Sequence, residues 1–147
     1  MTMVEEQTTL VLKRHFAATP EAVFDAWMVQ QAFAAWIGPE GQHCDVPEFD
    51  ARVGGAYRFV MKMSDGGVVP VGGVFKEIDR PRRIAFTWGW DGDPARTSLV
   101  TLDILPAADG GVDFTLTQEG LGTQENRDAH AKGWIGPMNK LERFLAG

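Results

Sequence analysis

The sharpest pattern in the chain runs through Ile84, Phe86, Trp88 and Trp90, which recur at every second position. Successive side chains of a strand point to opposite faces, so these four share one face of a half-buried strand. The same period returns elsewhere. Leu10, Leu12 and Phe16 carry it within Glu6 to Phe16, and Tyr57, Phe59, Met61 and Met63 alternate with Arg58, Val60 and Lys62. Val68 to Ile78 reads as another strand. Val100, Leu102 and Ile104 oppose Thr101 and Asp103, and Val112, Phe114 and Leu116 oppose Asp113, Thr115 and Thr117. His43 to Arg52 alternates weakly. Turn residues separate these runs at Gly54-Gly55, Ser64-Asp65-Gly66-Gly67, Asp79-Arg80-Pro81, Asp91-Gly92-Asp93-Pro94 and Ala108-Asp109-Gly110-Gly111. Short Gly/Asp turns between alternating runs predict an antiparallel meander of about six to seven strands.

Helical periodicity interrupts the strands early and closes the chain. Thr19-Pro20-Glu21 marks a helix start, with Thr19 suited to the N-cap, Pro20 to the first turn and Glu21 to the positive end of the dipole. Val23, Phe24 and Trp27 give this short helix an apolar side. A second short helix covers about Gln30 to Trp36 and stops at Ile37-Gly38-Pro39. The longest helical pattern lies in Gly122 to Gly147. At about 100° per residue, Ala131, Trp134, Ile135, Met138, Leu141 and Leu145 fall on one face and Lys132, Lys140 and Arg143 on the other. Pro137 sits inside it and removes one backbone bond, to the carbonyl of Gly133, at about 3 kcal/mol. With Gly133 and Gly136, it predicts a continuous helix kinked on its solvent side. One face of the meander must be buried, and this helix is the only long amphipathic element available to cover it.

Bulk properties narrow the partners. The chain has 147 residues, the size of one domain, and a net charge of -6 with no basic cluster. Nucleic acid and anionic membrane surfaces are therefore disfavoured partners. No apolar run approaches the roughly 18 residues of a membrane span, and MTMVEEQTT lacks an apolar signal core. A cytoplasmic protein is the expectation. The single Cys44 excludes an internal disulfide and a multi-cysteine zinc site.

Several stretches resemble a known family. They are RHFAATPEAVFDAW at Arg14 to Trp27, WIGPEG at Trp36 to Gly41, FDARVGGAYRF at Phe49 to Phe59, the DGG turn at Asp65 to Gly67, RPRRIAFTWGW at Arg80 to Trp90 and HAKGW at His130 to Trp134. Together, in this order, they resemble the activator-of-heat-shock-protein-ATPase-like (Aha-like) family of the START-like, or polyketide-cyclase/Bet-v-like (SRPBCC), superfamily. The resemblance spans nearly the whole chain, which reads as a single domain over residues 1–147. It implies an α+β helix-grip fold: a curved antiparallel sheet, two short helices and a long C-terminal helix enclosing a cavity. It does not single out a function, since that superfamily hosts carriers, cyclases and co-chaperone domains.

The sequence lacks HExxH, GxSxG, P-loop and GxGxxG patterns. His43-Cys44-Asp45 offers three metal-ligating groups, but neighbouring strand residues point opposite ways, and no metal site or cofactor is expected. Glu48 and Asp50 read as solvated acids. His15 has no partner in the pattern. Asp50-Ala51-Arg52 places an Asp and an Arg on one strand face; fixing the adjacent glycine turn is the main reading, and Arg52 holding an anionic ligand head is the alternative. His130 lies at the edge of the last helix's apolar stripe, within reach of a cavity mouth. Tyr57, Phe59, Met61, Phe86, Trp88, Trp90, Trp134 and Met138 all fall on inward positions. Core packing explains any one of them; as a set they suit the wall of an adaptable apolar pocket. The expected function is binding of a small hydrophobic or aromatic molecule between the sheet and the last helix. A cyclase- or hydrolase-like enzyme would need His130, Arg52, Tyr57 or Glu119 at that cavity. A co-chaperone-like interaction domain is the third reading, and an edge-strand homodimer is possible.

Overall fold

The structure, a computed structural model, describes residues 8–62, 65–90 and 97–147. Met63, Ser64, the Asp91-Gly92-Asp93-Pro94 turn and the first two residues of the expected Glu6 to Phe16 strand lie outside the described residues. The chain runs β1 (Leu10–Phe16), α1 (Pro20–Met28), α2 (Gln30–Trp36), β2 (Asp45–Phe49), β3 (Ala56–Lys62), β4 (Val68–Asp79), β5 (Arg83–Trp90), β6 (Ser98–Pro106), β7 (Val112–Glu119) and α3 (Gln124–Ala146). The strands form one antiparallel sheet in the order β1-β7-β6-β5-β4-β3-β2. Every neighbouring pair except β1-β7 is consecutive in sequence, as short turns require. This is the helix-grip fold, with the two short helices and α3 on the sheet's buried face.

Among the described residues, those read as inward from alternation pack against the core, with Leu12, Met61 and Trp90 only partly buried. Phe59, Ile84, Val100, Leu102, Ile104, Val112, Phe114 and Leu116 are almost completely buried. Where β4 meets β5 the register shifts between Phe75 and Glu77, an irregularity of the kind that bends a strand. There Tyr57 pairs with Gly73, and its hydroxyl passes across β4 to donate to the Thr87 carbonyl on β5 at 2.6 Å. A side chain at residue 73 would collide with that same carbonyl. The Val74 amide turns to the Thr87 hydroxyl instead, at 2.8 Å.

α1 and α2 fill one half of the concave face. Thr19 accepts from the Ala22 amide at 3.2 Å as the N-cap, with Pro20 in the first turn. α1 thereby drives Trp27 into the centre of the core. Trp27 meets Trp36 at 4.5 Å between ring centroids, Phe114 at 5.9 Å and Phe86 at 6.1 Å. Trp36 is anchored by donating to the Ala26 carbonyl at 2.8 Å. Gly38, with φ at 91°, breaks the chain out of α2.

α3 starts at an N-cap, Thr123, which accepts from the Asn126 amide at 3.0 Å. It runs unbroken through Pro137. Its buried residues are Trp134, Pro137, Met138 and Leu141. Two expectations change here. Ile135 is 52% exposed, not part of the buried stripe. Pro137 faces inward: three residues after Trp134 and four before Leu141, it stands beside both at the edge of the buried face. A kink opening toward solvent is therefore not what this proline provides.

Candidate functional site

Where α1 and α2 stop, the sheet and α3 stand apart. The gap is a cleft of about 570 Å³. β3 contributes Phe59 and Met61 to it, β4 contributes Val69, and β5 contributes Trp88 and Trp90. α3 supplies Asn126, Ala129, His130, Gly133, Trp134 and Pro137, spaced by three and four residues along one face. Ile37, Gly38 and Pro39, just past α2, close the third side. The tryptophans pack against one another: Trp88 is tilted against Trp134 at 5.0 Å and meets Trp90 in a T-shaped arrangement at 6.0 Å, centroid to centroid.

That third side is held in place by α3 itself. The Lys140 ammonium, expected in solvent, turns back and donates to the carbonyls of Ile37, Pro39 and Gln42 at 3.1, 3.2 and 2.7 Å. Its removal from water lowers the Lys140 pKa. Arg143 adds an ion pair to Glu40 at 2.6 Å. Gly136 lets the segment approach closely, since a Cβ there would lie 3.2 Å from the Glu40 amide nitrogen. Cys44 packs behind Gly38 and is buried, which raises its pKa. Among the described residues, no group of three His, Cys, Asp or Glu side chains gathers as for a metal ion.

Polar groups at the cleft are few and mostly engaged. Trp90 Nε1 donates to His130 Nε2 at 3.1 Å. An indole can only donate, so in the neutral ring the hydrogen sits on His130 Nδ1, which faces the Asn126 carbonyl at 2.9 Å. Asn126 Nδ2 donates to the Leu121 carbonyl at 2.9 Å. Trp134 Nε1 donates to Gln118 Oε1 at 2.9 Å, and Gln118 donates in turn to Ser98 at 2.8 Å. Trp88 Nε1 is buried without a partner in the structure. No charged side chain is among the described residues lining the cleft.

Of the residues expected on a ligand wall, Phe59, Met61, Trp88, Trp90, His130 and Trp134 meet at the cleft. Tyr57, Phe86 and Met138 do not. Tyr57 and Phe86 border only a void of about 10 Å³ in the half that Trp27 and Phe33 occupy. Burial there pushes the Tyr57 pKa well up. Met138 is fully buried under α3. Arg52 points away, with 76% of its side chain exposed, and pairs with Asp50 at 2.7 Å. This is the turn-fixing arrangement: the Gly55 amide donates to the Arg52 carbonyl at 2.8 Å. Sequence reasoning missed Ile37, Gly38, Pro39, Val69, Asn126, Ala129, Gly133 and Pro137. The i, i+4 spacing of Ala129, Gly133 and Pro137 was the available signal: three positions without long side chains on one helical face leave space.

Comparison with known proteins decides the family. The family described as Activator of Hsp90 ATPase homolog 1-like protein matches residues 17–146. The chain belongs to that family. Solved structures superpose closely on it. A protein of Chromobacterium violaceum is 31% identical, with a TM-score of 0.85 over 95% of this chain and 98% of that one. The AHSA1 protein of Silicibacter pomeroyi is 32% identical, with a TM-score of 0.80 over 94% and 97%. A Rhodobacter sphaeroides protein is 28% identical, with a TM-score of 0.80 over 95% and 93%. No curated protein matches the chain. Among the described residues of this Aha1-like chain, no helix is long and apolar enough to cross a membrane.

Proposed function

We propose that the chain binds a small, uncharged, hydrophobic or aromatic molecule in the cleft between β3–β5 and α3. The observation that carries this is the wall: three tryptophans, Phe59 and Met61 around about 570 Å³, with no lining charge among the described residues. That volume lies in the roughly 300–1,000 Å³ range of small-molecule sites. Indole faces suit flat rings, and Met61 adapts to their outline. An uncharged wall gives a carboxylate or ammonium nothing to replace its hydration. Acid–base chemistry gains no support from His130, whose two ring nitrogens both have hydrogen-bond partners.

The test is titration with the neutral fluorophore N-phenyl-1-naphthylamine, whose emission rises in an apolar site. Binding to the native chain and its loss in Gly133→Leu is the expected result. A Cβ at residue 133 meets nothing within 4 Å, so the leucine fills the cleft without displacing protein. Replacing a mid-helix glycine also improves helix propensity by up to about 1 kcal/mol, so the variant stays folded. Equal binding by both proteins, or none by either, would sink the proposal.

A further inference from the structure

The Gly133–Pro137 pair gives the cleft a backbone acceptor. Pro137 has no amide hydrogen, so it cannot donate to the Gly133 carbonyl one turn earlier. A helix carbonyl points along the axis toward the residue four positions on. Gly133 and Pro137 both line the cleft, so the oxygen deprived of its helical donor lies on the cleft face. Gly133 carries no side chain to cover it, and open space lies where a Cβ would be. Alanine would fit there and would suit a helix interior better. Two residues unfavourable to a helix thus stand one turn apart on the face that borders the gap. Two neighbouring acceptors are occupied: His130 Nε2 takes the Trp90 N–H, and the Asn126 backbone carbonyl faces His130 Nδ1.

We propose that the Gly133 carbonyl is the polar anchor of the cleft, and that the guest is a flat apolar ring bearing a hydrogen-bond donor, of the phenol, indole or aromatic-amine class. This rests on the binding function proposed above and adds the guest's polarity and orientation. The ring lies among Trp88, Trp90 and Trp134, and its N–H or O–H points at α3.

Calorimetric titration with 1-naphthol and 1-methoxynaphthalene tests it. Both keep the ring and the oxygen as an acceptor; only the first can donate. The deciding comparison is their affinity ratio in the native chain and in Pro137→Ala, where the restored amide occupies the Gly133 carbonyl. One neutral hydrogen bond corresponds to roughly a three- to tenfold affinity change, so the ratio should fall by about that factor in the variant. Removing a helix-interior proline keeps the variant folded, and a melting temperature at or above the native value verifies it. An unchanged ratio, with 1-methoxynaphthalene still bound, overturns this inference and leaves the binding function standing. Failure of both probes on the native chain removes both.

Discussion

Gln118 shows how single residues position the cleft. It is fully buried, yet it accepts from Trp134 and donates to Ser98, so its amide is used on both sides. Gln118→Leu would keep the volume and strand the Trp134 N–H. A loss of about 1–3 kcal/mol is expected, read as a lower urea midpoint at unchanged slope. His15 makes a different prediction. Its ring nitrogens lie 3.1 Å from Asp113 and 2.9 Å from Asp109, and the Asp113 bond leads in raising its pKa above 6.5. A raised folded-state value means that protonated His15 stabilises the fold below the unfolded pKa. That contribution fades as pH rises through the folded one. The native melting temperature should therefore fall more between about pH 6 and pH 8 than that of His15→Gln. Neither arrangement was legible in the sequence. His15 and Asp113 meet only because β1 pairs with β7 in this register. Gln118 sits in an alternating strand at a position that pattern alone marks only as inward.

At the scale of elements, the interplay of α3 with the Ile37–Gln42 segment stands out. The helical wheel places Lys140 away from the apolar stripe, and so it predicted solvent. The wheel knows nothing of side-chain length. Four methylenes let the ammonium curl back onto a segment that has carbonyls to offer. Lys140→Met should cost about 1 kcal/mol, since water at this half-buried position replaces part of what is lost. Its more telling effect is local: amides of residues 38 and 40–42 should exchange hydrogen faster in the variant while those of the sheet hold. The start of α1 and the end of α2 were readable, because caps and breakers are local chemistry: Thr19-Pro20 and Gly38 act where the sequence puts them. The burial of Pro137 is equally local in cause, but the apolar pattern runs through Ile135, which the fold leaves exposed.

For the molecule as a whole, the consecutive pairing of β2 to β7 and the covering role of α3 followed from alternation and turns, whereas the pairing of β1 with β7 did not. What did not follow was how the concave face is shared. Alternation assigns Tyr57, Phe59, Phe86 and Trp88 to the same side, and it cannot say which of them meets a helix and which meets space. Trp27 and Phe33 decide that by filling the Tyr57–Phe86 half. Trp27→Ala should remove about 3–5 kcal/mol, a large share of the roughly 5–15 kcal/mol that holds a domain together. Thermal or urea unfolding would measure it. A smaller loss would mean that the neighbouring rings collapse into the gap.

The indoles bear on how this protein would look in a spectrometer. Trp36, Trp27, Trp134, Trp88 and Trp90 form an unbroken chain, with successive centroids 4.5, 6.1, 5.0 and 6.0 Å apart. These are all five tryptophans in the sequence. At such spacings excitation hops between rings faster than it is emitted, so the five behave as one antenna that ends at the cleft. A quenching guest beside Trp90 would dim the whole set, and the unlabelled chain would report its own occupancy.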